Sequence, residues 1–411
     1  MLARSGQCND TTKMSVANAR QVLALLCYCM ATGGTLVVGP ATCLSAMAAD
    51  LEMSLETQKG LFLGAPFWGL GAMALFSGWV AQRLGYRLLL LTSSLLQTIG
   101  LLAISSAITQ LEAMVGSLLL GLGRGMIAAP LTALLCTIYP HNRTGIANLF
   151  HAFFHIGMIA LIALVLLLLH LDWNWRNIFV VFAALVAPCG LVGFIVPLPG
   201  ASRGERDLHD SDSLRNISAK AGFGLLVGSI FFGGATEMGA TSWLPYFVEQ
   251  TVDTSRELAS LGLLCFALTM VVGRLAATVM VRRIGVKQVF VASGLVSGLS
   301  VVLAALPVGT LFTLFWLTLL GLGVSGIFPT VLGYAGDRFP RANASLFAVL
   351  NSSAILGSVI APAGVGLAAD LVGLRPAMAL LAIAPLCFLA AVLRLMHTHQ
   401  SVQNQSAESV S

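Results

Sequence analysis

The chain has 411 residues, 57% of them hydrophobic and 9% charged, with a mean hydropathy of +0.90. A soluble domain carries about 25% charged residues. The composition therefore excludes soluble enzymes and nucleic-acid binders and leaves a polytopic membrane protein. The net charge of +5 is small, so the placement of the charges says more than their number.

Residues 1–20 read as a cytoplasmic N-terminal tail, with no removable signal peptide. Apolar runs of about 20 residues, enough to cross a bilayer, are expected near 21–48, 59–81, 87–107, 111–138, 145–169 and 176–197. A charged, Ser-rich break at 198–220 follows, holding Arg203, Glu205, Arg206 and Asp207, and it reads as a cytoplasmic linker loop. Further runs are expected at 221–248, 258–281, 286–306, 309–332, 344–368 and 376–396, before a polar tail at 398–411. The predicted fold is an all-α membrane protein of 12 transmembrane helices, a six-helix bundle over 21–197 and another over 221–397.

Lys and Arg set the orientation. Of the 22 such residues, the loops on one side hold only Lys59, Arg176, Arg256 and Arg375. Arg124 and Arg274 fall inside runs, and the rest lie on the side of the termini, which places both termini in the cytoplasm. The eight cysteines include no Cys-x-x-Cys pair and sit mostly in apolar runs, as small hydrophobes do. No phosphate-cradling loop, nucleophile elbow or metal-protease pattern is present, and no cofactor or metal is expected.

The chain repeats itself at an offset of about 200. Arg83-Leu-Gly85-Tyr-Arg87 falls on Arg283-Ile-Gly285-Val-Lys287. Gly121 and Gly123 fall on Gly321 and Gly323, Tyr139-Pro140 on Phe339-Pro340, and Gly157 on Gly357. Six crossings per half give both halves one orientation, a parallel repeat with its axis along the membrane normal. A cavity between the halves, near the midplane, follows from that symmetry.

These segments resemble the major facilitator superfamily. Gly78-Trp-Val-Ala-Gln82-Arg83-Leu-Gly85-Tyr-Arg87 is similar to that family's loop 2–3 signature, with Gln82 where the family has Asp. Asn148-Leu-Phe-His151, Gly234-Ala-Thr-Glu237 through Trp243-Leu-Pro245, and Gly321 through Phe328-Pro329 resemble the fucose–proton symporter-type sugar porters. The resemblance implies a secondary transporter rather than an enzyme. It also implies gating contacts in the inner loops, for which Arg83, Gly85, Arg87, Arg283, Asp337 and Arg338 are the candidates, with positive-inside anchoring as the other reading.

Polar residues inside apolar runs are costly and mark function. Arg124 lies well inside its run, roughly 20 Å from the outer surface at 1.5 Å per residue. It orients a solute, tunes coupling or pairs with backbone carbonyls. Asn148, His151 and His155 are spaced by three and four and share one helix face. Each offers a donor and an acceptor, which suits hydroxylated solutes, and His can carry a proton. Polar glue between helices is the alternative. Glu237 is the clearest intramembrane acid and must pair, face water or be protonated. Trp243 is a stacking face or an interface anchor. Asn351 is the repeat partner of His151. Gln97 and Tyr28 are further cavity candidates, and Arg274 is expected to snorkel toward the inner surface.

The expected function is movement of a small polar solute, a sugar or polyol, by alternating access, with protons as the driving ion. The bilayer of the inner or plasma membrane and the solute are the partners, and a monomer is expected. The sugar–proton symporters use acids in spans 1 and 4, whereas the only acids there are Asp50 and Glu112 at the edges. Coupling is therefore expected at Glu237 or a histidine. Export of amphipathic, drug-like compounds is the alternative, and a transporter-like sensor a remote one.

Overall fold

The computed structural model describes residues 15–139, 143–199, 222–252, 254–338 and 344–408. Most of the expected linker and N-terminal tail, with Pro140, Phe339 and Pro340 of the repeat, lie outside the described residues. Regular structure among the described residues is helical. The N-terminal half comprises α1 (Val16–Ala31), α2 (Thr35–Asp50), α3 (Glu56–Ser106), α4 (Gln110–Ile138), α5 (Arg143–His170), α6 (Trp175–Val186) and α7 (Pro188–Ile195). The C-terminal half comprises α8 (Phe223–Thr251), α9 (Arg256–Ile284), α10 (Val286–Ala304), α11 (Thr310–Ser325), α12 (Ile327–Arg338), α13 (Ala344–Val372), α14 (Leu374–Leu380) and α15 (Ile383–Glu408).

Among the described residues, eleven helical stretches are long and apolar enough to cross a membrane. One of them, α3, has 51 residues. It would be roughly 75 Å long at 1.5 Å per residue, against a hydrocarbon core of about 30 Å. It breaks at Gly85, where φ is +70°. Gly285 at the equivalent point has φ +88° and separates α9 from α10. Both sit in the left-handed region where a Cβ is strained, so the repeat places a glycine hinge at the same turn in each half.

Local signals explain the helix ends. Ser15 Oγ accepts the Asn18 N–H at 3.1 Å, so α1 begins at Val16, inside the stretch expected as a tail. Thr109 and Glu112 cap α4, with the Glu112 carboxylate accepting the Ile108 N–H at 2.8 Å. Beyond Pro385 the chain has neither Gly nor Pro, and α15 runs on to Glu408 through most of the expected C-terminal tail.

The repeat extends to packing. A Cβ on Gly121 would collide with the Pro66 carbonyl, and one on Gly321 with the Phe266 carbonyl. Gly157 likewise meets the Ala31 carbonyl and Gly357 that of Phe231. Each partner is displaced by the same 200 positions, so the two halves use one close-approach scheme, in which small residues let backbones touch.

The apolar core divides unevenly along the spans. Toward the ends that carry Gly85 and Gly285 it is two separate clusters. One is built around Leu26, Leu89 and Phe150, the other around Ile230, Phe290 and Phe388. Toward the opposite end, one cluster unites both halves, joining Phe62, Phe67 and Phe179 to Trp243, Phe247 and Phe266. The halves are thus packed together at the Glu56 end.

Candidate functional site

Near the middle of the spans three ionisable side chains meet across the halves. Glu237 on α8 and Arg274 on α9 belong to the C-terminal half, His155 on α5 to the N-terminal half. Arg274 donates to both carboxylate oxygens of Glu237, at 3.2 and 3.5 Å. Its other terminal nitrogen lies 3.4 Å from His155 Nδ1, and His155 Nε2 lies 3.6 Å from Glu237 Oε1. Glu237 and His155 are nearly buried, with side chains 11% and 6% exposed, while Arg274 keeps 24% of its surface open. A buried carboxylate requires a cation, which is why Arg274 turns inward. The sequence reading placed Arg274 near the inner end of its span, free to snorkel. The helix instead continues to Ile284, ten residues past it, and the guanidinium engages Glu237 and His155. The available signal was Gly273-Arg274 within an apolar run, which repeats the Gly123-Arg124 pattern.

His151 sits one turn before His155 and is exposed. It is also within electrostatic reach of Arg124, Arg274 and His155. It therefore lies on the side of α5 that faces Arg124 and Arg274. Asn351 on α13, its repeat partner, is exposed as well. Tyr28 is 40% exposed and donates to the Leu185 carbonyl at 2.6 Å. Asn148 is on α5, but its side chain lies outside the described residues.

Arg124 is held elsewhere. It is buried, and its terminal nitrogens donate to the carbonyls of Cys29 at 2.7 Å and Met30 at 3.4 Å. Those carbonyls end α1, just before the 3-10 turn Thr32–Gly34 that interrupts the first span. Arg124 thus adds charged donors to two carbonyls that Thr32 also bonds, through its N–H at Met30 and its hydroxyl at Cys29, and the Gly33 backbone packs against the guanidinium where a Cβ would collide. Trp243 is fully buried and donates its indole N–H to the Pro362 carbonyl at 3.0 Å, so it packs between α8 and α13. Gln97 is buried and donates to Ser93 Oγ at 2.9 Å within α3.

Polar contacts also fasten the Glu56 end, and the sequence reading named none of them. Asp370, near the end of α13, accepts the N–H of Glu56 at 2.6 Å and of Thr57 at 2.9 Å, capping α3 from the other half. Tyr246 donates to Glu56 Oε1 at 3.0 Å, and Ser45 to Glu249 Oε2 at 2.6 Å. Of the loop residues considered for gating, Arg83 lies over the Trp79 ring of its own half. Among the described residues, no ion pair joins Arg83, Arg87, Arg283 or Asp337 to the opposite half. Among the described residues, no cluster of three or more His, Cys, Asp or Glu could hold a metal.

One family model, described as the Major Facilitator Superfamily, matches residues 24–255 and again 225–410. The chain belongs to the major facilitator superfamily. Its double match echoes the repeat at 200 residues. Among solved structures, a bacterial homologue of the human lysosomal transporter Spinster is similar in an inward-facing, occupied conformation. It has a TM-score of 0.78 at 14% identity, over 93% of this chain and 98% of that one. The same homologue, inward-facing and unoccupied, gives 0.76 at 15% identity with the same coverage. A point-substituted form of the nucleoside transporter NupG gives 0.72 at 14% identity, over 92% of this chain and 98% of that one. At such identities the likeness speaks for the fold. No curated protein matches the sequence. As a member of this superfamily the chain is a multi-pass integral membrane transporter, and its substrate is a small-molecule solute.

Proposed function

We propose that this chain is a proton-coupled secondary transporter of a small hydroxylated solute, a sugar or polyol, working by alternating access in the inner or plasma membrane. The observation that carries the reading is the His155–Glu237–Arg274 cluster. It joins the two halves near the middle of the spans, with His151 one turn away on α5. Ionisable groups at that depth are costly unless they serve transport. His151 and Asn351 each offer a donor and an acceptor, which matches a hydroxyl, and they occupy equivalent positions in the 200-residue repeat. The sugar in a nucleoside is also polyhydroxylated, so the likeness to a nucleoside transporter agrees with this chemistry.

In this reading the long helix α3 counts as two crossings on either side of Gly85. The chain then has twelve, with both termini in the cytoplasm and the monomer as the working unit. The Glu56 end is then the outer end, and the state described is closed outside and open inside. The inward-facing structures of the Spinster homologue support that assignment by similarity of fold. Arg124 holds the broken first span in shape beside the cavity.

A thermal-shift screen of purified protein against sugars, polyols, nucleosides, amino acids and amphipathic drugs identifies the solute, because a ligand of the folded state raises its stability. Uptake of that solute into proteoliposomes, with and without an inward proton gradient, then tests coupling. Accumulation that follows the gradient and disappears in Glu237→Gln is expected. Uptake indifferent to both removes the proton-coupled reading, and a screen answered only by amphipathic compounds replaces uptake of a polar solute with export.

A further inference from the structure

The geometry around His155 restricts where its proton can be. A guanidinium only donates hydrogen bonds. Arg274 approaches His155 Nδ1 at 3.4 Å, and only the tautomer with its lone pair on that nitrogen accepts from it, while the His151 carbonyl one turn back also faces the ring. In that tautomer the one proton of a neutral imidazole sits on Nε2, the atom 3.6 Å from Glu237 Oε1. Nε2 is buried and makes no hydrogen bond at this separation. One ring nitrogen thus faces the cation and the other faces the anion. A second proton would have to enter at Nδ1 and point at the guanidinium, placing cation against cation.

The three groups do not move together. Glu237 and Arg274 both stand in the C-terminal half, and their pairing is preserved when the halves rock. His155 stands on α5 in the N-terminal half, so its distance to Arg274 is the quantity that rocking changes. The other charged or titratable groups toward this ring are His151, one turn back on α5, and Arg124 from α4, which acts on His151. The Phe154 ring meets His155 edge-on at 5.2 Å between centroids.

We propose that Arg274 and a proton compete for Nδ1 of His155. The ring is neutral in the state described and takes up one proton from solution when α5 and α9 part. The proton adds to the Nδ1 lone pair to give an imidazolium, and the return of Arg274 expels it. Glu237 stays ionised beside Arg274 throughout and receives the Nε2–H. This deepens the proton-coupled reading, on which it rests, by assigning the carrier to His155 and its release to Arg274.

The test is histidine nitrogen NMR of full-length protein in lipid nanodiscs, titrated from about pH 8 to about pH 5, with His155→Asn identifying the resonance. The charge-balanced double variant Arg274→Met with Glu237→Gln removes the competitor without burying an unpaired carboxylate. The wild-type ring is expected as the Nε2–H tautomer. The double variant is expected to bind the second proton at least about tenfold more tightly than the single variant Glu237→Gln, which lacks the same carboxylate but keeps the competitor, a displacement of about one pH unit. Identical titration in those two variants overturns the proposal. A wild-type Nδ1–H tautomer overturns it as well, with no variant needed. Proton-driven accumulation is a separate measurement. Its absence would remove the coupled-transport reading while leaving the tautomer and the competition as measured.

Discussion

Two arginines set within membrane-spanning helices are satisfied in opposite ways. Arg124 donates to the carbonyls of Cys29 and Met30 where α1 breaks, so its partners and its own helix belong to one half. Arg274 pairs with Glu237 in its own half and reaches His155 in the other. A group satisfied within one half moves as part of a rigid body and holds that body together. A group satisfied across the interface changes its partners when the halves move. Depth in the membrane does not separate these cases, because both charges are costly there and both need partners.

The comparison can be broken most forcefully at Arg274. Arg274→Met leaves Glu237 buried without its cation, a loss of about 3–5 kcal/mol in thermal or denaturant unfolding. Adding Glu237→Gln is expected to recover most of that loss, since removing both charges is far less costly than removing one. Full additivity of the two substitutions would show that they are not a pair. Arg124→Met is expected to cost less, about 1–3 kcal/mol, because it removes hydrogen bonds to carbonyls and strands no opposite charge. It should loosen the first span without changing how far the halves are apart, which spin-label distances would report.

Smaller effects are expected at the Glu56 end, where the contacts act on the equilibrium between states. Asp370→Ala removes a carboxylate that accepts two N–H groups at the start of α3. About 1 kcal/mol of capping is lost, a shift of roughly fivefold toward opening at that end. Labelling of cysteines introduced beside Thr57 measures it, and unchanged labelling would leave Asp370 without a part in closure. Gly60→Ala should act in the same direction, since its Cβ would meet the Pro362 carbonyl at 2.5 Å. Trp243→Phe, which gives up one indole hydrogen bond to Pro362, is expected to be the mildest, at about 0.5–1.5 kcal/mol.

Composition and periodicity made much of this molecule legible in advance. Apolar runs of span length mark the helices, because lipid admits only segments that satisfy their own backbone. The 200-residue offset is visible because close helix approach needs glycine at fixed points, and the same contacts recur at Gly121 with Pro66 and at Gly321 with Phe266. Glu237, His151 and His155 stood out because polar groups are rare in such runs. Which of them meet was settled only in the tertiary structure. His155 and Arg274 are 119 positions apart, and no local pattern brings them together. Arg124 drew attention by depth alone, yet its partners are backbone carbonyls, which every residue carries and no sequence pattern reveals. Arg274 reads from sequence as a snorkelling residue because its distance from a helix end takes no account of the carboxylate that turns it inward. The sequence by itself determined the lipid-embedded helices and their duplication, since both follow from local composition and spacing. The folded chain decided which charges bridge the halves, because that depends on contacts between helices distant in sequence.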